Sequence, residues 1–261
     1  MNNGLKKIVL VVEYDGTEYC GFQFQINNPT VQDELEKAIK KLTGETLRIA
    51  ASSRTDSGVH ARGQVVCFRT LSGLGAETFQ KGLNYYLPQD IAVKESYKVN
   101  NGFNVQSEAV SREYRYFIYN GSARSPLKRR YALHIRGELG IKAMNEACDL
   151  LIGEHDMASF VTELKESTVK TTIRTIYKAQ VYRKEALVIF DIVARAFLPH
   201  QVRNTVGALI RVGQGKLSVS DFKDLMEARK PGLAGPTVPA MGLYLEKVNY
   251  PRPLGDYYED L

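Results

Sequence analysis

Two β-branched, apolar runs, Ile173 to Arg183 and Leu187 to Ala194, are separated only by Lys184, Glu185 and Ala186. Parallel neighbours need a crossover of about a dozen residues, so a link this short makes the pair an antiparallel hairpin. Nowhere else does the chain repeat strand-helix-strand crossovers, and the pattern reads as α+β with a mainly antiparallel sheet. Further strands are expected at Ile8 to Tyr14, which Asp15-Gly16 turns, and at Leu47 to Ala51, Gln64 to Phe68, Ile91 to Tyr97, Glu113 to Tyr119 and Leu243 to Val248.

Helices are marked by spacing and by their ends. Thr30 with Asp33 resembles a capping box, and Val31, Leu35, Ala38, Ile39 and Leu42 recur at helical spacing until Gly44. Phe79, Leu83 and Leu87 mark a second helix that stops before Pro88. Leu139, Met144, Cys148 and Leu151 form a third stripe, closed by Gly153, after which Glu154-His155-Asp156 reads as a loop. Val202, Val206, Leu209 and Ile210 run to Gly213, and Ser218 with Asp221 opens a last helix containing Phe222, Leu225 and Met226. Each half supplies strands and at least two helices. The expectation is two similar lobes, 1–107 and 108–261, on one continuous sheet with a cleft between them.

A chain of 261 residues with 44% hydrophobic content can bury a sizeable core. Its net charge of +6 favours a polyanionic partner by long-range attraction. Cys20, Cys67 and Cys148 are far apart, without zinc or iron–sulfur spacing, and read as buried thiols in a reducing compartment. The first apolar run breaks at Glu13 and no other reaches membrane-spanning length, so a cytoplasmic protein is expected.

Between two of the expected strands lies Ala51 to Ala61, "ASSRTDSGVHA". Asp56 is placed in a loop held at both ends by rigid elements, a setting that carries function as well as turn formation. Arg54, two residues before it, either flanks the loop or pairs with the carboxylate; Gly58 either admits a ligand or ends the turn. His60 reads first as a structural hydrogen-bonding residue and second as a substrate contact. Arg195, Arg203, Arg211 and Lys216 form a basic run without an acid, in which Arg203 could neutralise a carboxylate from the other lobe. Between Glu108 and Arg136, Arg112, Arg115, Arg124, Lys128, Arg129, Arg130 and Arg136 face only Glu108 and Glu113, and Tyr114, Tyr116, Phe117, Tyr119 and Tyr131 are interleaved. Cations mixed with aromatics suit phosphate binding with base stacking, although a solvated strand and loop have the same composition. The four histidines are isolated, so no metal centre is expected, and neither a Walker loop nor a dinucleotide fingerprint is present.

The stretch "SRTDSGVHARGQVVCF" at 53–68 resembles the catalytic loop and following strand of the TruA family of tRNA pseudouridine synthases. Similar stretches follow in order: "YDGTEYCGFQFQ" at 14–25, "VQDELEKAI" at 31–39, "LPQDIAV" at 87–93, "REYRYFIYN" at 112–120, "FLPHQVRNTVG" at 197–207 and "GLYLEKVNY" at 242–250. The resemblance implies a pseudouridine-synthase fold with two similar lobes around a basic cleft. It implies isomerisation of uridines at tRNA positions 38, 39 and 40, no metal or organic cofactor, and a homodimer. It further implies that Asp56 is the catalytic aspartate, that Arg54 handles the flipped nucleotide, that His60 belongs to the same loop, that Tyr114 packs on the target base, and that Arg203 pairs with the aspartate. Arg112, Lys128, Arg129 and Arg130 are expected RNA contacts. The sequence departs from the family pattern at Ser53, usually glycine; at Phe22, commonly tryptophan; and at Phe103-Asn104-Val105-Gln106, often Phe-His-Ala-Arg. A non-catalytic RNA-binding protein would use the same arginines and aromatics but would not need Asp56 and Arg203 as a pair.

Overall fold

The computed structural model describes residues 4–163 and 171–258. In chain order its elements are β1 (Lys6–Tyr14), α1 (Val31–Thr43), β2 (Ala50–Ala51), β3 (His60–Thr70), α2 (Ala76–Tyr86), β4 (Ile91–Val99), β5 (Ser111–Tyr119), β6 (Leu133–His134), α3 (Ile141–Asp149), β7 (Gly153–Asp156), β8 (Ile173–Lys184), β9 (Leu187–Ala194), α4 (Gln201–Gly213), α5 (Val219–Glu227) and β10 (Leu243–Asn249). They form two compact units, residues 4–110 with 245–258, and residues 111–244. The chain thus returns to its first unit at the end.

In the first unit the strand order is β4-β1-β3-β10. β1 pairs antiparallel with β3, Ile8 opposite Phe68 and Val11 opposite Val65, and with β4 on its other edge. A central strand has no solvent face to satisfy, and Ile8, Val9, Leu10 and Val12 of β1 are all fully buried. Of the expected capping box at α1 one half is present, Asp33 N donating to Thr30 Oγ1 at 3.4 Å, and Gly44 ends the helix in the left-handed region at φ 78°. At the end of α2, Leu87 leaves helical geometry at ψ 150°, as the proline after it requires. Phe79 of α2 meets Phe68 of β3 edge-on, ring centroids 5.4 Å apart. One strand is shorter than expected. Of Leu47 to Ala51 only Ala50 and Ala51 pair with β3, because the Ile49 N–H donates to Glu36 Oε1 at 3.0 Å instead of to a neighbouring strand.

In the second unit the order is β5-β9-β8-β7, antiparallel at each step, with β6 parallel to β5. β8 and β9 form the expected hairpin, Lys184 opposite Leu187, with Glu185 of the two-residue turn at φ 54°. The supposed loop Glu154-His155-Asp156 is instead strand β7, lying at the sheet edge against Arg174 and Thr175 of β8. A short polar edge strand has no apolar alternation to betray it in sequence. Ser218 and Asp221 complete a reciprocal box at the start of α5. Met144, Cys148, Phe160 and Phe222 are fully buried in this unit's core. The α+β, mainly antiparallel architecture expected from the sequence is present, and no described helix is long and apolar enough to cross a membrane.

Candidate active site

Asp56 lies in the loop between β2 and β3, and the chain after β1 sets that loop's shape. Phe22 N donates to Thr55 O at 3.1 Å, Gly58 N to Tyr19 O at 3.3 Å, and Ser57 Oγ to the same Tyr19 oxygen at 3.2 Å. The Tyr14 hydroxyl and Thr55 Oγ1 share a buried hydrogen bond of 2.7 Å. Within the loop, Val59 N donates to Asp56 O at 3.2 Å, and Gly58 makes the turn at φ 75°. Gly21 matters for contact as well as conformation. At φ 97° it passes so close to the loop that a methyl there would lie 2.8 Å from Thr55 O and 3.2 Å from Ser57 N. The far side is anchored by Gln64, fully buried in β3: its Oε1 accepts from Ser52 Oγ and its Nε2 donates to Ser53 O, both at 2.8 Å.

This scaffold leaves Asp56 half-buried between two exposed residues, Arg54 and Ser57. Among the described residues Arg54 makes no ion pair or hydrogen bond, so of its two expected placements it takes the flanking one. His60 is buried, with 1% of its surface exposed. Its Nδ1 lies 3.1 Å from Gly16 N, which donates to it, and 3.1 Å from Asp15 Oδ1. The two contacts compete: accepting from Gly16 needs a bare Nδ1, whereas bonding Asp15 needs a proton there. Either way the ring ties the start of β3 to the turn after β1. Tyr19 donates to Asp90 Oδ1 at 2.7 Å, and burial together with that carboxylate holds its phenol proton well above the usual range.

In the second unit, Tyr114 sits on β5 opposite Ile192, with its ring edge-on to Phe197 at 5.1 Å. Arg203 stands in the first turn of α4, where its Nε donates to Val238 O at 2.8 Å. Nearby, Tyr116 donates to Pro239 O at 2.7 Å; burial raises its pKa and the Arg203 charge partly opposes that rise. Arg112 Nη1 donates to Arg195 O at 2.8 Å. Lys128, Arg129 and Arg130 are exposed. One cation of the basic stretch is committed elsewhere: Arg115 grips Asp191 through two bonds, of 2.6 and 3.1 Å, across the β5/β9 pair. Gln201 and Asn204, in the same turn of α4, are buried, accepting from Leu198 N and donating to Phe160 O respectively.

Sequence reasoning passed over Gln64, Tyr14 and Gly21, which hold the loop without taking part in its polar cluster. A glutamine inside the apolar run "VHARGQVVCF" was the available signal, since a polar group there requires partners.

A family profile described as tRNA pseudouridine synthase matches residues 10–106 and 147–251, well over half of the chain. The chain belongs to this family. Among curated relatives, tRNA pseudouridine synthase A of a Geobacter strain is 42% identical, covering 95% of this chain and 100% of its own length. The protein of the same name from Acetivibrio thermocellus is also 42% identical, over 94% of this chain and 100% of its own. That of Francisella tularensis is 39% identical over 95% of each. The pseudouridine synthase match takes in the whole Asp56 loop and Arg203, whereas Tyr114 and Lys128 to Arg130 fall between its two stretches.

Proposed function

We propose that this chain isomerises uridine to pseudouridine in the tRNA anticodon stem-loop, at positions 38, 39 and 40, with Asp56 as the catalytic carboxylate. The observation that carries the reading is a half-buried aspartate on a loop pinned by Tyr14, Tyr19, Phe22 and Gln64, inside a stretch matched by the pseudouridine synthase profile. In the reaction the bond from ribose C1′ to uracil N1 breaks, the base turns, and C1′ joins C5; the proton from C5 is lost and N1 gains one. Uracil leaves as a stabilised anion, so a carboxylate near the ribose suffices and no metal or organic cofactor is called for. Asp56 would act by attack at C1′, by removing the C2′ proton, or by attack at C6.

The reading gives the other residues distinct duties. Arg203 pairs with the Asp56 carboxylate and offsets its charge. Its Nε bond to Val238 O supports this by fixing the guanidinium plane. Tyr114 packs on the detached base, a duty that its edge-on neighbour Phe197 favours by steadying the ring. Exposed Arg54 helps to extrude the uridine, which must leave its stack at a cost of about a few kcal/mol. Buried His60 acts through the turn it holds. Arg112, Lys128, Arg129 and Arg130 contact tRNA phosphates in the basic cleft. The enzyme works as a homodimer in the cytoplasm.

Purified wild-type and Asp56→Asn proteins incubated with unmodified tRNA transcripts, followed by mapping of each pseudouridine, test the reading. The expected outcome is new pseudouridine at 38–40 with the wild type and none with Asp56→Asn, which binds tRNA within about a few-fold of normal because phosphate contacts dominate affinity. Product from a pure Asp56→Asn protein would remove the carboxylate from the chemistry. Binding without product by the wild type would favour the non-catalytic RNA-binding alternative.

A further inference from the structure

Between β5 and β6 the chain makes an excursion from Asn120 to Ala132 and returns to the strand it left. The parallel β5/β6 pair sets His134 opposite Tyr119, and their rings lie 5.4 Å apart at 38°. His134 Nε2 is 2.8 Å from Gly121 O, which holds the imidazole in place. Asn120 Nδ2 bridges to Ile135 O and Gly137 O at 2.8 and 2.7 Å, and Tyr131 N and Ala132 N both donate to Lys128 O, so the excursion is a hydrogen-bonded structure. Enclosed by it is a hollow of about 430 Å³ lined by Tyr119, Arg124, Lys128, Arg129, His134 and Met241. That volume falls within the range of about 300–1,000 Å³ typical of small-molecule sites.

The charges around this hollow are of one sign. Asn120 to Arg136 contains five cations and no carboxylate. Among the described residues Arg124, Lys128 and Arg129 form no ion pair, whereas Arg48, Arg62 and Arg115 are each matched to an acid. Three neighbouring like charges repel, and an anion entering the hollow relieves that repulsion. The two rings and Met241 supply an apolar, stackable wall beside the cations. Phosphate-seeking charge next to a stacking platform is the chemistry of nucleotide recognition.

We propose that this hollow is a nucleotide-binding site, taking a base against Tyr119 and His134 and its phosphate on Arg124, Lys128 and Arg129. Apart from Met241, its lining residues fall between the two stretches matched by the family profile, and none of them belongs to the Asp56 loop. For Lys128 and Arg129 it deepens the tRNA-contact role proposed above, and it rests on that reading only for the source of the nucleotide. An unpaired nucleotide of an RNA and a free mononucleotide share this chemistry.

Binding is measured by calorimetry on the full-length Asp56→Asn protein, so the result does not depend on turnover. The probes are adenosine 5′-monophosphate, adenosine, ribose 5-phosphate and a single-stranded pentaribonucleotide. The monophosphate should bind about tenfold more tightly than either of its fragments, as expected when stacking and phosphate contacts each contribute. Arg124→Gln combined with Arg129→Gln should reduce monophosphate binding to the level of adenosine while leaving adenosine unchanged. Tyr119→Leu should reduce it to the level of ribose 5-phosphate, with circular dichroism confirming that each variant is folded. A pentamer that binds tighter than the monophosphate and loses affinity in both variants assigns the site to RNA; monophosphate binding that the pentamer fails to match assigns it to a free nucleotide. Absence of binding by both the monophosphate and the pentamer, or equal binding by wild type and all variants, would overturn the proposal.

Discussion

Replacing Gly21 by alanine isolates how the Asp56 loop is held. Two penalties apply. The first is conformational: at φ 97° an L-residue is strained, by about 1–2 kcal/mol. The second is steric, because the new methyl would lie 2.8 Å from Thr55 O where ordinary contact begins at 3.4 Å, so the loop must withdraw by about 0.6 Å. Together they should cost roughly 2–3 kcal/mol of stability. A misplacement of about 1 Å near a reacting group costs on the order of a hundredfold in rate, so the smaller withdrawal here should slow the chemical step about tenfold. Gly44 provides the control, since it too is left-handed, at φ 78°, but a methyl there meets nothing within 4 Å. Urea unfolding gives the stability of both variants, and single-turnover release of tritium from C5-labelled tRNA gives the rate. Gly44→Ala should lose about 1 kcal/mol and keep its rate. If Gly21→Ala matched it in both measurements, the idea that backbone contact with Gly21 positions the carboxylate would fail.

Gln64→Leu strips the Ser52 hydroxyl and Ser53 carbonyl of their buried partner and should cost about 2–3 kcal/mol in urea unfolding, with a slower single turnover. Glu185→Gly relieves the positive φ of the β8/β9 turn and should raise stability by up to about 1 kcal/mol, seen as a higher urea midpoint. Burial pushes the Cys148 thiol up to about 12, with Asp149 adding to the rise. The folded state therefore holds that proton more tightly than the unfolded state, so the associated stability is complete below about pH 9 and is lost as pH climbs toward 12. Cys148→Ala should show a shallower alkaline decline than the wild type; parallel declines in urea midpoint would contradict the assignment.

Local rules made much of this fold legible. Thr30 and Gly44 bracket α1, Pro88 ends α2, and Ser218 with Asp221 opens α5, because each acts on its own backbone within a few residues. Misreadings occurred where a distant partner decided the outcome. Leu47 to Ile49 has strand-like composition, yet the Ile49 amide is taken by a helix carboxylate. Glu154 to Asp156 is polar throughout and becomes a strand only because β8 offers it an open edge. The candidate loop stood out through its dense polar cluster, whereas the groups that shape it come from residues 14–22 and 64 and act through backbone atoms, the Tyr14 hydroxyl and one buried amide. A carbonyl oxygen has no letter in the sequence.

The last strand of the first unit comes from the end of the chain. Beside β3, Glu246 of β10 pairs with Arg62 at 2.9 Å, and its carbonyl passes Gly63 so closely that a methyl there would lie 2.7 Å away. Asn249 O accepts from Val110 N at 2.9 Å, and Tyr250 and Tyr257 pack against Phe103. On the ribosome, residues 4–110 emerge well before these partners. At about 5–20 residues per second, the edge of the strand that begins at His60 waits roughly ten to thirty-five seconds for its neighbour. Over that interval an unpaired apolar edge is exposed to other nascent chains. Completion of the lobe bearing Asp56 is consequently tied to translation of residues 245–258, and a chain terminated before them carries the Asp56 loop on an unfinished sheet.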